Sequence, residues 1–350
     1  MAPGLASARM QPGQLLFAGF EAHEVPPDLA DRIREGRIGG VTLFARNVSS
    51  FEKTRRLIEA LHALAPGRAP LAVAIDQEGG RVQRLREPWT LWPAMRRVGE
   101  RDDLEITRAL ARALARELSD LGIDLDFAPV ADVDSNPANP VIGDRSFSRD
   151  PERVAQHVGA FARAMQDAGI AACAKHFPGH GDTCEDSHTA LPRIDCDLAR
   201  LSEVELVPFR AAIEAGVASI MTAHIVVSGF DRELPATLSP RALACLRGEL
   251  GYDGLVFTDD LEMAAVARHF EPRETVLRAL EAGVDAFLAC RSAELRDELL
   301  AALEAAPRSL LEAPLRRMAA FKRRFAGGRA RTAGAPPYAA HRLLAEQLRA

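Results

Sequence analysis

Residues 175–188 read KHFPGHGDTCEDSH: one lysine, three histidines and three acidic residues within fourteen positions. Pro178, Gly179 and Gly181 interrupt the stretch, so no helix or strand is expected to run through it. The glycines allow a tight loop that gathers its side chains. Asp186 and His188 stand two apart, close enough for the carboxylate to bond one imidazole nitrogen. Such a bond orients the ring and raises its basicity, which is the arrangement proton transfer needs. His176 and His180 have the i, i+4 spacing of a helical zinc pair, but Pro178 and Gly179 between them exclude that helix. No metal is expected here.

Other stretches carry chemistry of a matching kind. GLVFTDDLEM (254–263) ends an apolar run in Asp259 and Asp260. A carboxylate there suits a nucleophile or an electrostatic stabiliser. Adjacent residues of extended chain point to opposite sides, so one of the two is expected to be chemical and its neighbour structural. Asp260 also fits the cap of a helix beginning LEMAAVARHF. IDQEGGRVQRL (75–85) sets Asp76, Arg81 and Arg84 around two glycines. Carboxylates grip vicinal sugar hydroxyls and guanidiniums offer forked donors, although a plain ion-pair cluster fits equally well. NPVIGDRSF (139–147) adds Arg145. Trp89 and Trp92 lie in a proline-flanked loop, where packing is expected over stacking on a sugar. His224 in MTAHIV reads as a buried, hydrogen-bonded strand-end residue.

These residues need a scaffold that brings them together. Eight short apolar runs recur along the chain: 15–20, 39–47, 71–80, 123–133, 170–179, 218–226, 254–260 and 285–290. They are continuously apolar, as in a parallel sheet buried on both faces. Segments 103–121 and 151–168 between them are rich in Ala, Leu, Arg and Glu, with apolar positions at helical spacing. Gly122, Gly169, Gly216, Gly251 and Gly283 are expected to stop helices. Eight strand–helix units predict a single (β/α)8 TIM barrel of class α/β, with a doubly wound open sheet as the alternative. Asp76, Asp132, Lys175, His176, His224 and Asp259 all fall at C-terminal strand ends. A barrel gathers those ends on one face, whereas an open sheet spreads them along a line. The barrel is expected to occupy 1–326. Residues 327–350, Gly- and Pro-rich and ending in HRLLAEQLRA, read as a tail with one short helix.

Composition excludes several classes. The net charge is −5 with the two signs interspersed, and aromatics make up 5%, so neither a basic stripe nor stacking platforms for nucleic acid are expected. No apolar run approaches the roughly 18 residues of a membrane span. MAPGLASARMQPGQ lacks the charged-then-apolar order of a signal peptide. The five cysteines have no CxxC spacing, so the cytoplasm is the expected location.

Together, KHFPGHG followed by DSH, IDQEGGRVQRL, GDRSF and VFTDDLEM resemble the single-domain bacterial β-N-acetylglucosaminidases of glycoside hydrolase family 3. The resemblance runs from about residue 14 to 291, with the motifs in the family's order. It implies a TIM barrel and a retaining mechanism without a cofactor. Asp259 would be the nucleophile, His188 the acid/base and Asp186 its partner, while Asp76, Arg84, Arg145, Lys175 and His176 would bind the sugar. Larger members take a carboxylate acid/base from a second domain. This chain is expected to have no room for one, so the proton donor has to come from the barrel. The implied substrate is a muropeptide, from which terminal N-acetylglucosamine is cut off an N-acetylmuramic or anhydromuramic residue during cytoplasmic peptidoglycan recycling. A phosphorylase of the same family remains open, as does a non-catalytic sugar-binding barrel. The oligomeric state is not legible.

Overall fold

Each of the eight apolar runs contains a parallel strand. The computed structural model describes residues 10–67, 69–185, 187, 191–326 and 334–349. The strands are β1 (Leu16–Ala18), β2 (Gly40–Leu43), β3 (Ala72–Ile75), β4 (Leu125–Asp126), β5 (Ala171–Phe177), β6 (Ser219–Thr222), β7 (Leu255–Asp260) and β8 (Ala286–Ala289). They pair in sequence order and close through β1 against β8, with Phe17 opposite Leu288. This is the predicted barrel, and the closure excludes the open sheet.

Aromatic rings fill its interior. Phe257 meets Phe17 and Phe127 edge-on at centroid distances of 5.0 and 5.5 Å. Gly40 makes space for this: a Cβ there would lie 2.2 Å from the Phe17 ring.

The helices begin and end as their sequences dictate. Asp103 accepts the amide of Glu105 at 2.8 Å and opens helix Leu104–Leu121. Gly122 follows at φ 97, a conformation costly for residues with a Cβ. The other four expected glycine stops also have positive φ. Asp150 caps helix Pro151–Asp167 in the same way.

The last long helix, Arg308–Phe325, packs near the N-terminal end of the barrel. Its Lys322 is buried and donates to Gln14 Oε1 at 2.6 Å. Burial drives this ammonium down to about 7. Of the tail, 327–333 and Ala350 lie outside the described residues. Helix Ala339–Arg349 packs on helix Leu104–Leu121, where His341 meets Glu117 at 2.8 Å and Tyr338 donates to Asp120 at 3.1 Å. Trp89 and Trp92 are buried in packing, the latter against the His341 ring at 6.1 Å. Among the described residues, no helix is long and apolar enough to cross a membrane.

Candidate active site

At the C-terminal ends of the strands lies a cavity of about 280 Å³. It is at the small end for ligand pockets and suits one sugar ring better than a long chain. Asp76, Arg84, Arg145, Lys175, His176 and Asp259, drawn from four regions of the sequence, all line it.

Its charged wall is built around Lys175. The ammonium donates to Asp76 Oδ1 at 2.7 Å and approaches Glu78 Oε1 at 2.6 Å. Arg145 clasps the same Glu78 with two bonds of 2.8 Å, and Arg84 reaches Asp76 at 3.1 Å. Burial by itself would raise both carboxyls. For Asp76 the charges of Lys175 and Arg84 outweigh it, and for Glu78 those of Arg145 and Lys175, so both lie below their usual range. Burial would likewise lower Lys175, but the two carboxylates hold it above its usual value. At the end of β4, Asp126 accepts the Gln77 amide at 2.9 Å but makes no ion pair among the described residues, and burial pushes it up to about 8. The sequence reading overlooked Glu78. The signal was present: it stands two residues from Asp76, the spacing that puts two side chains on one side of extended chain.

Removing the shared cation should be costly. Lys175→Met keeps most of the stem but takes from each of two buried carboxylates one of its two cations, leaving Asp76 with Arg84 and Glu78 with Arg145. We expect the unfolding free energy to fall by about 3–5 kcal/mol, read from urea denaturation. A midpoint equal to that of the parent would contradict the network.

His176 is oriented from behind. Asp132, fully buried, takes the ring's Nδ1 at 2.7 Å and the His176 amide at 3.1 Å. The carboxylate thereby sets the tautomer: Nδ1 carries the proton and Nε2 is turned toward Arg145, 3.5 Å away. Simple alternation would send Lys175 and His176 to opposite faces. The register of β5 on β6 shifts between Lys175 and Phe177, and both side chains line the cavity.

The neighbouring carboxylates of β7 depart from expectation in a related way. Asp259 and Asp260 both line the cavity, because the register of β7 on β8 shifts between Phe257 and Asp260. Their bonding still differs. Asp260 accepts the amides of Glu262 at 3.1 Å and Cys290 at 3.3 Å, fixing the chain turn. Burial and the nearby Glu262 charge push it up to about 7. Asp259 Oδ1 accepts the Asp260 amide at 2.8 Å. The helix expected after them is short, Ala264–Ala267. His224 is buried, 2.8 Å from Thr237 Oγ1, and donates to the Asp260 carbonyl. Arg81 is not among the residues lining the cavity; it donates to the carbonyls of Val141 and Ile142 in the loop after β4.

Asp186 and His188 lie outside the described residues. Ser187, between them, is buried and lines the cavity.

A closed parallel barrel with carboxylates and forked cationic donors around a small cavity at the C-terminal ends of its strands has the layout of a barrel enzyme. The sequence profile described as "Glycosyl hydrolase family 3 N terminal domain" matches residues 9–320. A β-hexosaminidase of Thiobacillus denitrificans is 44% identical over 288 residues, which is 80% of this chain and 79% of that protein. The family 3 β-N-acetylglucosaminidase of Paenibacillus sp. str. FPU-7 superimposes with a TM-score of 0.91 at 38% identity, covering 98% of this chain and 68% of that one. NagZ of Neisseria gonorrhoeae, in complex with N-trifluoroacetyl-D-glucosamine, gives 0.82 at 32% identity, with 96% and 98% covered. The chain belongs to glycoside hydrolase family 3, and it is a glycoside hydrolase.

Proposed function

We propose that the protein is a retaining exo-β-N-acetylglucosaminidase that releases terminal N-acetylglucosamine from peptidoglycan fragments, including anhydromuramic forms, in cytoplasmic cell-wall recycling. The observation that carries this reading is the meeting of Asp259 and Ser187 at one sugar-sized cavity. Asp259 comes from the end of β7, and Ser187 is flanked in the chain by Asp186 and His188. The similarity to proteins named β-hexosaminidase supports the choice of an N-acetyl sugar.

Asp259 attacks the anomeric carbon while protonated His188 gives its proton to the leaving oxygen. The glycosidic bond breaks and a glycosyl-aspartate ester forms. Neutral His188 then takes a proton from water, whose oxygen attacks the anomeric carbon and frees Asp259. Asp186 favours the charged form of His188 and orients its ring. The sugar hydroxyls meet one acidic acceptor, Asp76, and the donors of Arg84, Arg145 and Lys175, with His176 Nε2 beside them.

The test is selectivity. kcat/KM on an aryl β-N-acetylglucosaminide should far exceed that on the aryl β-glucoside, and single sugars should leave only from chain ends. Equal values on the two glycosides, or internal cleavage of a polymer, would contradict the reading.

A further inference from the structure

His180 faces the cavity, yet its ring is engaged on both sides. Nδ1 lies 2.9 Å from Thr183 Oγ1 and Nε2 3.0 Å from Ser187 Oγ. Its amide donates to Asp132 Oδ1 at 2.7 Å, and its carbonyl accepts from Asn139 at 2.8 Å. Asn139 also donates to Thr183 Oγ1 at 3.0 Å. The chain after β4 therefore grips His180 through Asp132 and Asn139. Burial, then the neighbouring His176, push the ring down to about 4, so it is neutral at pH 7. A neutral imidazole donates at one nitrogen and accepts at the other, which suits it to hold two hydroxyls.

Ser187 is fixed a second time from the opposite side. Its carbonyl accepts the amide of Ala265 at 3.3 Å, in the chain that follows Asp259 and Asp260. It thus joins the loop after β5 to the chain after β7. Asp186 and His188 are its direct neighbours in the chain, so the placement of Ser187 bears on both. A general acid must come within about 2.6–3.2 Å of the atom it serves, so a displacement near 1 Å matters.

We propose that His180 and Ser187 are positioning residues: the hydrogen bond between them fixes the loop after β5 to the cavity wall and so holds Asp186 and His188 for proton transfer. This role rests on the proton-shuttle reading above. It also takes His180 out of consideration as the acid/base itself, because both its nitrogens are committed to the scaffold.

The test uses the full chain with Ser187→Ala, Ser187→Thr and His188→Ala, and with Ser187→Ala combined with His188→Ala. kcat/KM is measured on two aryl β-N-acetylglucosaminides, one with a nitrophenolate leaving group and one with a poor phenolate. Ser187→Ala should lose about 10-fold more on the poor leaving group than on the good one, part of the about 10²–10⁴-fold that acid–base assistance supplies. Ser187→Thr keeps the hydroxyl and should recover most of that loss. In the His188→Ala background, Ser187→Ala should add no further loss, because it acts through His188. Equal losses on both substrates, no loss, or full additivity would overturn the positioning role while His188→Ala kept its own leaving-group signature. A His188→Ala variant without any leaving-group dependence would overturn the proton-shuttle reading, and the positioning role with it.

Discussion

Asp259→Ala is expected to lower kcat/KM on an aryl β-N-acetylglucosaminide by roughly 10⁴-fold or more, the scale on which loss of a nucleophile acts. The fold should survive, since among the described residues Asp259 makes one bond to the chain, to the Asp260 amide. Azide should restore part of the turnover of a nitrophenyl substrate. The small anion would enter where the carboxylate stood and leave an α-glycosyl azide. Asp260→Ala should behave differently although it stands one residue away. It breaks bonds to the amides of Glu262 and Cys290, so its main effect is a stability loss of about 1–3 kcal/mol. A larger activity loss for Asp260→Ala than for Asp259→Ala would reverse the assignment.

His188→Ala should cost about 10²–10⁴-fold in kcat/KM for poor leaving groups and far less for a nitrophenolate, which leaves without a proton. With the good leaving group, hydrolysis of the glycosyl-enzyme then limits turnover. Azide should accelerate that step, because it attacks without deprotonation, and the product should be the β-glycosyl azide. The two variants thus yield azides of opposite anomeric configuration. Asp186→Asn should forfeit only part of the same factor, because the ring remains while its orientation and basicity suffer. Equal losses on good and poor leaving groups, with no response to azide, would remove His188 from the acid/base role.

The barrel was legible because its signals are local and repeated. Continuous apolar runs, helical spacing between them and glycine stops each follow from the backbone chemistry of a few neighbouring residues. The meeting of Asp76, Lys175, His176 and Asp259 at one cavity was legible for a related reason: in a barrel, a polar residue at a C-terminal strand end has one place to go. What escaped depended on register. Alternation predicted that Asp259 and Asp260 would diverge, but the shifted pairing of β7 on β8 leaves both at the cavity. Lys175 and His176 share a face where β5 shifts against β6. A slip of this kind arises between strands distant in sequence, so no window of one strand encodes it. Partner identities were hidden likewise. Lys175 is expected to bind sugar, but its bonds to Asp76 and Glu78, about a hundred residues earlier in the chain, have no local signal. Asp132 was visible as a strand-end carboxylate, whereas its hold on His176 and on the His180 amide appears only once β4 and β5 lie side by side.

The covalent step is the centre of the proposed mechanism, and mass spectrometry tests it directly. The enzyme is incubated with an activated fluoro-sugar, whose electron-poor ring slows hydrolysis of the ester, then digested, and the labelled peptide is sequenced. The account predicts one added sugar per chain, carried on Asp259. A sugar on Asp260 or any other carboxylate, or complete turnover of the substrate with no covalent adduct at any time, would contradict it.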